Sequence, residues 1–152
     1  MRLRLLKELL VNEPLEITLD LPNSGLSPNA RKHWRAKSKL VKEYREHACE
    51  QAMSAAYDQK VERPFETPVV LIKYWNRRKV RPDGDNIIAS MKSAFDGFED
   101  AGLFTNDRFC FYFPVWRLVD RKNPRVDVTI YSSIPNNVGE ILNDMIFSDS
   151  IT

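Results

Sequence analysis

Between Arg81 and Asp107 the sequence reads RPDGDNIIASMKSAFDGFEDAGLFTND, and the residues best suited to chemistry are gathered there. Asp83 and Asp85 stand one residue apart, and Asp107 is a third candidate aspartate. Carboxylate oxygens are the donors that Mg²⁺ prefers, and phosphodiester hydrolysis needs what such an ion supplies: a neutralised phosphate and an activated water. Gly84 between the two acids permits a tight bend. A bland reading stands beside this one, in which one acid caps the next helix and Asp107 is a turn residue. Lys92 lies seven residues after Asp85. On a continuous helix of ~3.6 residues per turn it returns to nearly the same azimuth, and its side chain leans back toward the acids. Alternatively it lies on a solvated face and pairs with Asp96. His33 and His47 lack a second histidine at metal-binding spacing and are assigned no catalytic role.

The elements that must position these residues are legible in the periodicity. LEITLD at 15–20 alternates as a half-buried strand and stops at Pro22 and the Asn23–Ser24–Gly25 turn. A helix is predicted from about 30 to 57, capped by Ser27 or Asn29, with Leu40, Val41, Tyr44, Ala48, Ala52 and Ala55 on its core side. Arg31, Arg35, Lys39 and Lys42 form a separate basic stripe on it. Val69 to Trp75 reads as an interior strand. Ile87, Ile88, Met91, Ala94, Phe95 and Phe98 give one amphipathic helix after the acid pair, stopped by Gly102. Residues 108–118 read as a strand with Phe109, Phe111, Phe113 and Val115 on one side, ending, bulging or lying on an edge at Pro114. Asp107 begins this strand. Val126, Val128 and Ile130 mark the last strand, and Asn136–Asn137 can cap a short C-terminal helix. The order β-α-β-α-β-β implies an α+β fold in which helices pack on a mixed sheet within a single domain. Residues 1–12 form an N-terminal extension, a short helix or an extra edge strand, and 133–152 a tail.

The chain of 152 residues is long enough for one real core. Its net charge of +2 conceals a patched distribution: residues 31–45 and 73–81 together hold 12 of its 23 Lys and Arg. The stripe and the turn bearing Arg77, Arg78, Lys79 and Arg81 suit a polyanion, or form only a solvated face. Cys49 and Cys110 lack metal-type spacing and read as reduced core residues of a cytoplasmic protein. No run is long and apolar enough to span a membrane, and the start lacks a signal-peptide pattern.

The sequence DGDN–IIASM–K–SAF–DGF, continued by AGL and ND at 83–107, resembles the RusA-type Holliday-junction resolvases often carried by phages and prophages. SPNARKHWRAK at 27–37 is similar to that family's N-terminal asparagine and basic helix, and PRVDVTI at 124–130 to its last strand. The resemblance covers about residues 15–132. It implies a homodimeric endodeoxyribonuclease that binds branched, four-way DNA and makes paired nicks with Mg²⁺, or with Mn²⁺ as substitute, in recombination and repair. It assigns metal binding to Asp83, Asp85 and Asp107, and a catalytic role to Lys92. Two departures are visible. The family often has two adjacent acids where this chain has Asn106–Asp107, and its lysine is closer to the second acid in some members. A non-cleaving protein that binds branched or single-stranded DNA on the same fold is the competing expectation, and a domain with a protein partner is a third.

Overall fold

The computed structural model describes residues 13–79 and 82–150, apart from the side chains of Asp107, Asp149 and Ser150. The readings of residues 1–12 and of Arg81 therefore lie outside the described residues. The chain forms strand β1 (Leu15–Leu19), helix α1 (Trp34–Asp58), strand β2 (Val69–Asn76), helices α2 (Gly84–Ser90) and α3 (Lys92–Asp100), strands β3 (Phe111–Tyr112), β4 (Trp116–Val119) and β5 (Arg125–Tyr131), and helix α4 (Val138–Ser150). This is the α+β architecture expected from the sequence, built on one five-stranded mixed sheet. β5 lies between β1 and β2 and is antiparallel to both, with Ile17 opposite Val128 and Ile72 opposite Val128 on its other side. β3 and β4 run parallel to β2 along its free side, the connection being the helical crossover through α2 and α3.

Alternation decides which residues enter the core. Leu15, Ile17 and Leu19 share a sheet face with Val70, Ile72, Val126, Val128 and Ile130, all essentially inaccessible to solvent. That face packs against α1, α2 and α3 through Tyr44, Ala48, Ala52, Ile87, Met91, Phe95 and Phe98. On the opposite face α4 covers Val69, Leu71 and Phe113 with Met145.

Helix α1 starts at Trp34, later than the pattern suggests, so Arg31 precedes the helix. Its cap is His33, not Ser27 or Asn29: the His33 backbone is extended and its Nδ1 accepts the Arg35 N–H at 3.3 Å. The buried stripe Tyr44, Ala48, Ala52, Ala56 recurs every four residues, and its alanines let α3 approach closely. Gly97 sits at this crossing. A Cβ there would overlap the Arg45 carbonyl oxygen and lie 3.1 Å from Ala48 Cβ.

The predicted helix after the acid pair is interrupted. Met91, with φ −89° and ψ −3°, separates α2 from α3. It is wholly buried, and its Sδ lies 3.4 Å from the Tyr44 hydroxyl, which donates to the Asp20 carbonyl at 2.9 Å. The terminator is as expected. Gly102 adopts φ +74°, the Gly102 N–H bonds the Glu99 carbonyl at 2.8 Å, and the Leu103 N–H bonds the Phe98 carbonyl at 3.0 Å.

The single strand predicted over 108–118 is two short strands. Val69 pairs with Phe111, but Lys73 pairs with Trp116, so one extra residue enters the edge between them. The insertion surrounds Pro114, which has no N–H to contribute to a ladder. It reverses the alternation: Phe113 faces α4, while Val115 joins the core under α1–α3. Asp107 does not begin the strand either, but opens a 3-10 turn, Asp107–Phe109.

The α1–α3 packing is closed at the surface by Arg45, whose guanidinium forks onto Asp100 at 2.5 and 2.7 Å. Asp100 is held below the usual carboxylate range, chiefly by that hydrogen bond, which outweighs an opposing desolvation effect, with a lesser contribution from the Arg45 charge. A carboxylate depressed in the folded state contributes stability that is complete above its unfolded value of about 3.9 and lost as pH falls through the lower folded value. Asp100→Asn is therefore expected to lower the melting temperature slightly at neutral pH and to narrow the gap from wild type as the solution is acidified. Thermal melts taken down to about pH 2 check this.

Candidate active site and nucleic-acid interface

The acid pair sits where the loop after β2 enters α2. Asp83 occupies the N-cap position with extended backbone, φ −62° and ψ 142°, and its main-chain carbonyl accepts the Ile87 N–H at 3.0 Å. Its carboxylate makes no capping hydrogen bond. The bland reading is thus half right: Asp83 holds the cap position, but its side chain does not do the capping. Asp85 lies in the first turn, exposed, with Oδ1 accepting only the neighbouring Asn86 N–H at 2.9 Å. Neither aspartate forms an ion pair among the described residues. Gly84 is ordinary helical backbone without positive φ, so the conformational freedom expected of it is not used. A Cβ at Gly84 would touch Val115 Cβ at 4.0 Å, which locates the turn against the residue that the edge insertion turns inward.

Asn106 and Asp107 lead into the same edge. The Asn106 side chain accepts the Arg108 N–H at 2.9 Å and its carbonyl accepts the Phe109 N–H at 3.2 Å, so Asn106 shapes the turn that begins with Asp107. Gly84 places the entrance of α2 against Val115, just before β4, and Asp107 opens the 3-10 turn that precedes β3.

Lys92 is the first residue of α3, beyond the Met91 break, so the continuous-helix azimuth does not apply to it. Its Nζ donates to Asp96 Oδ1 at 2.7 Å, one turn further from the acids, with the lysine side chain 60% exposed. The pairing considered as the alternative is therefore present.

The donor set fits a hard divalent cation. Asp83 and Asp85 present exposed carboxylates without a cationic partner among the described residues, and three of their four oxygens accept no hydrogen bond there. No cluster of three or more acidic, His or Cys ligands forms among the described residues, which exclude the Asp107 side chain.

Two basic surfaces are present. Arg77, Arg78 and Lys79 are exposed in the loop before the acid pair, with the Asn76 side chain accepting the Arg77 N–H at 2.8 Å. Arg35, Lys39 and Lys42 are exposed on α1, and Arg31 just before it. Lys39 and Lys42 approach Glu43 and Glu46 at 3.7 and 3.9 Å, so the far end of the stripe is partly neutralised. Trp34, which the sequence reading gave no role, stands exposed at the start of α1 between Lys32 and Lys37 in the chain. Asp127, another acid, is satisfied structurally: it accepts from Thr18 Oγ1 at 3.0 Å, Trp75 Nε1 at 2.8 Å and Arg125 Nε at 3.1 Å. Cys49 and Cys110 are half-buried and form no disulfide among the described residues. No helix among the described residues is long and apolar enough to cross a membrane.

The α+β sheet thus carries an acid pair at a helix entrance, and both basic segments precede that pair in sequence. The family model for endodeoxyribonuclease RusA matches residues 25–131, most of the chain, and the chain belongs to that family. The match runs from the turn before α1 to the end of β5, leaving β1 and α4 outside. The chain is also similar to an uncharacterized protein of Xylella fastidiosa (strain Temecula1), with 36% identity over 100 residues. The aligned part is 65% of each chain, so just under two thirds of that relative's length is spanned.

Proposed function

We propose that this protein is a divalent-metal-dependent endodeoxyribonuclease that resolves four-way DNA junctions by paired nicks, with Asp83, Asp85 and Asp107 as the metal-binding acids. The observation that carries this reading is the Asp83 carboxylate, which stands at a helix cap without capping it, beside exposed Asp85, within the segment matched to the RusA family. Bound Mg²⁺, or Mn²⁺ in its place, supplies charge neutralisation at the scissile phosphate and an acidified water. Asp83, Asp85 and Asp107 hold it. Lys92 stabilises negative charge on the phosphate or on the departing oxygen, exchanging its Asp96 contact for the substrate. Arg77, Arg78, Lys79 and Arg81 grip the strand entering the site, and Arg31, Arg35, Lys39 and Lys42 hold a junction arm through its phosphates. A homodimer presents two such sites with the two-fold symmetry that paired nicks require.

The test uses purified protein with end-labelled four-way junction, linear duplex and single strands, in Mg²⁺ and in EDTA. Metal-dependent paired nicks confined to the junction support the reading. Tight junction binding without nicks in Mg²⁺ or Mn²⁺ would favour the non-cleaving alternative. Absence of DNA binding at low salt would overturn both.

Lys92→Ala separates chemistry from structure. An exposed i,i+4 pair contributes at most ~0.5 kcal/mol, so the melting temperature should barely change. Single-turnover cleavage should fall by about tenfold or more, with junction affinity retained.

A further inference from the structure

Trp34 opens α1 with 66% of its surface exposed, although the apolar face of the helix turns inward at Tyr44, Ala48 and Ala52. It forms one wall of a shallow groove of about 500 Å³ that also contains Lys37, Ser38, Val41, Lys42 and Arg45. The Arg35 guanidinium carbon lies 5.2 Å from the Trp34 ring centre, and the His33 ring is 5.8 Å away at a 32° tilt. Charge along the helix is uneven. Lys39, Lys42 and Arg45 each face an acid, namely Glu43, Glu46 and Asp100. Arg31, Lys32, Arg35 and Lys37 have no acidic partner among the described residues, and all but the half-buried Lys37 are exposed. Of these cations, Arg35 lies over the exposed indole and Lys37 lines the same groove, while Arg31 and Lys32 precede it by three and two residues in the chain.

We infer that Trp34 is a stacking platform for an unpaired DNA base, with Arg31, Lys32, Arg35 and Lys37 taking the phosphates on either side of it. An exposed indole offers a flat apolar face that accepts any base, and flanking cations supply the complementary charge. In a duplex the base faces are covered by their neighbours and only edges are presented, so the occupant is a single strand or an unpaired nucleotide at a branch. A purely apolar protein partner would gain nothing from unpaired cations beside the ring. The inference rests on the proposal that the protein acts on DNA, and adds to it a single-strand contact at the start of α1.

The experiment measures binding of labelled oligothymidylate and of linear duplex in EDTA, where cleavage cannot contribute, for wild type, Trp34→Ala and Trp34→Phe. Trp34→Ala should weaken oligothymidylate binding about tenfold, with Trp34→Phe within about threefold of wild type and duplex binding little changed. Wild-type tryptophan emission should be quenched by oligothymidylate, and this quenching should be largely lost in Trp34→Phe, which retains Trp75 and Trp116. Equal oligothymidylate affinity in wild type and Trp34→Ala, or quenching that persists in Trp34→Phe, would overturn the inference. Equal losses on duplex and single strand would overturn it too. Junction nicking assayed in parallel distinguishes the two readings. Trp34-dependent single-strand binding without nicks would remove the nuclease proposal alone, and nicking with Trp34-independent single-strand binding would remove the stacking site alone.

Discussion

Asp85→Asn is expected to reduce junction cleavage by a hundredfold or more while leaving junction affinity within about threefold of wild type. The substitution preserves size and removes the charge. Asp85 Oδ1 accepts a single hydrogen bond, from the Asn86 N–H, and an asparagine oxygen can accept the same bond. The side chain is exposed in the first turn of α2, so no packing is disturbed. The fold should therefore survive with a melting temperature close to wild type. What is lost is a hard anionic donor and its share of cation binding. Raising Mg²⁺ should restore part of the activity if affinity is the deficit. Asp83→Asn should behave alike, since its carboxylate makes no capping bond. A cleavage rate for Asp85→Asn equal to wild type would remove this residue from the metal site. A collapse of melting temperature would instead show that the acids serve the fold.

The second large effect concerns stability. Gly97→Ala should destabilise the protein by about 2 kcal/mol despite the better helix propensity of alanine. Replacing glycine inside a helix ordinarily gains about 1 kcal/mol. At Gly97 the added methyl would overlap the Arg45 carbonyl oxygen and press within 3.1 Å of Ala48 Cβ and the Cys49 nitrogen. Two of these three neighbours are main-chain atoms of α1, which cannot rotate away. Relief requires separating α1 from α3, which loosens the packing of Ala48, Ala52 and Phe98. Gly139→Ala is the control. Gly139 lies in the first turn of α4 with open space around its Cβ position, so alanine there should be neutral or slightly stabilising. Chemical denaturation of the two variants measures the contrast. Equal effects would mean that the α1–α3 crossing is more compliant than its backbone contacts suggest.

The sheet was largely readable from local pattern. The alternation at 15–19 and 126–130 survives because each of those strands has one face against the helices and pairs in unbroken register. Gly102 was readable because a left-handed residue after a helix has a strong chemical preference. Helix α1 was readable in its core stripe but not at its start, where the His33 ring supplies a cap that the usual capping residues were expected to provide. The edge strand was misread for a nonlocal reason. Proline identified the weak point, but the added residue between Phe111 and Trp116 is defined only by counting against β2, to which both short strands bond. Period-two reasoning carried the wrong phase past Pro114.

For the site, the division is sharper. The sequence by itself determined the residue types: three aspartates with oxygen donors suited to a hard cation, a lysine nearby and cations before them, in an order similar to the RusA family. Those are covalent facts, independent of packing. Only the tertiary structure decided what each group is free to do. It left Asp83 at the cap without a capping bond, because α2 receives its carbonyl and not its carboxylate. It directed Lys92 onto Asp96, because the chain turns at buried Met91 and starts a new helix. It also seated Gly84 on Val115, a residue made inward-facing by a single extra residue in the neighbouring strand. Spacing along a chain fixes the reach of a side chain, but where the backbone turns, and so what falls within that reach, is set by packing against elements distant in sequence, as Met91 packs against Tyr44.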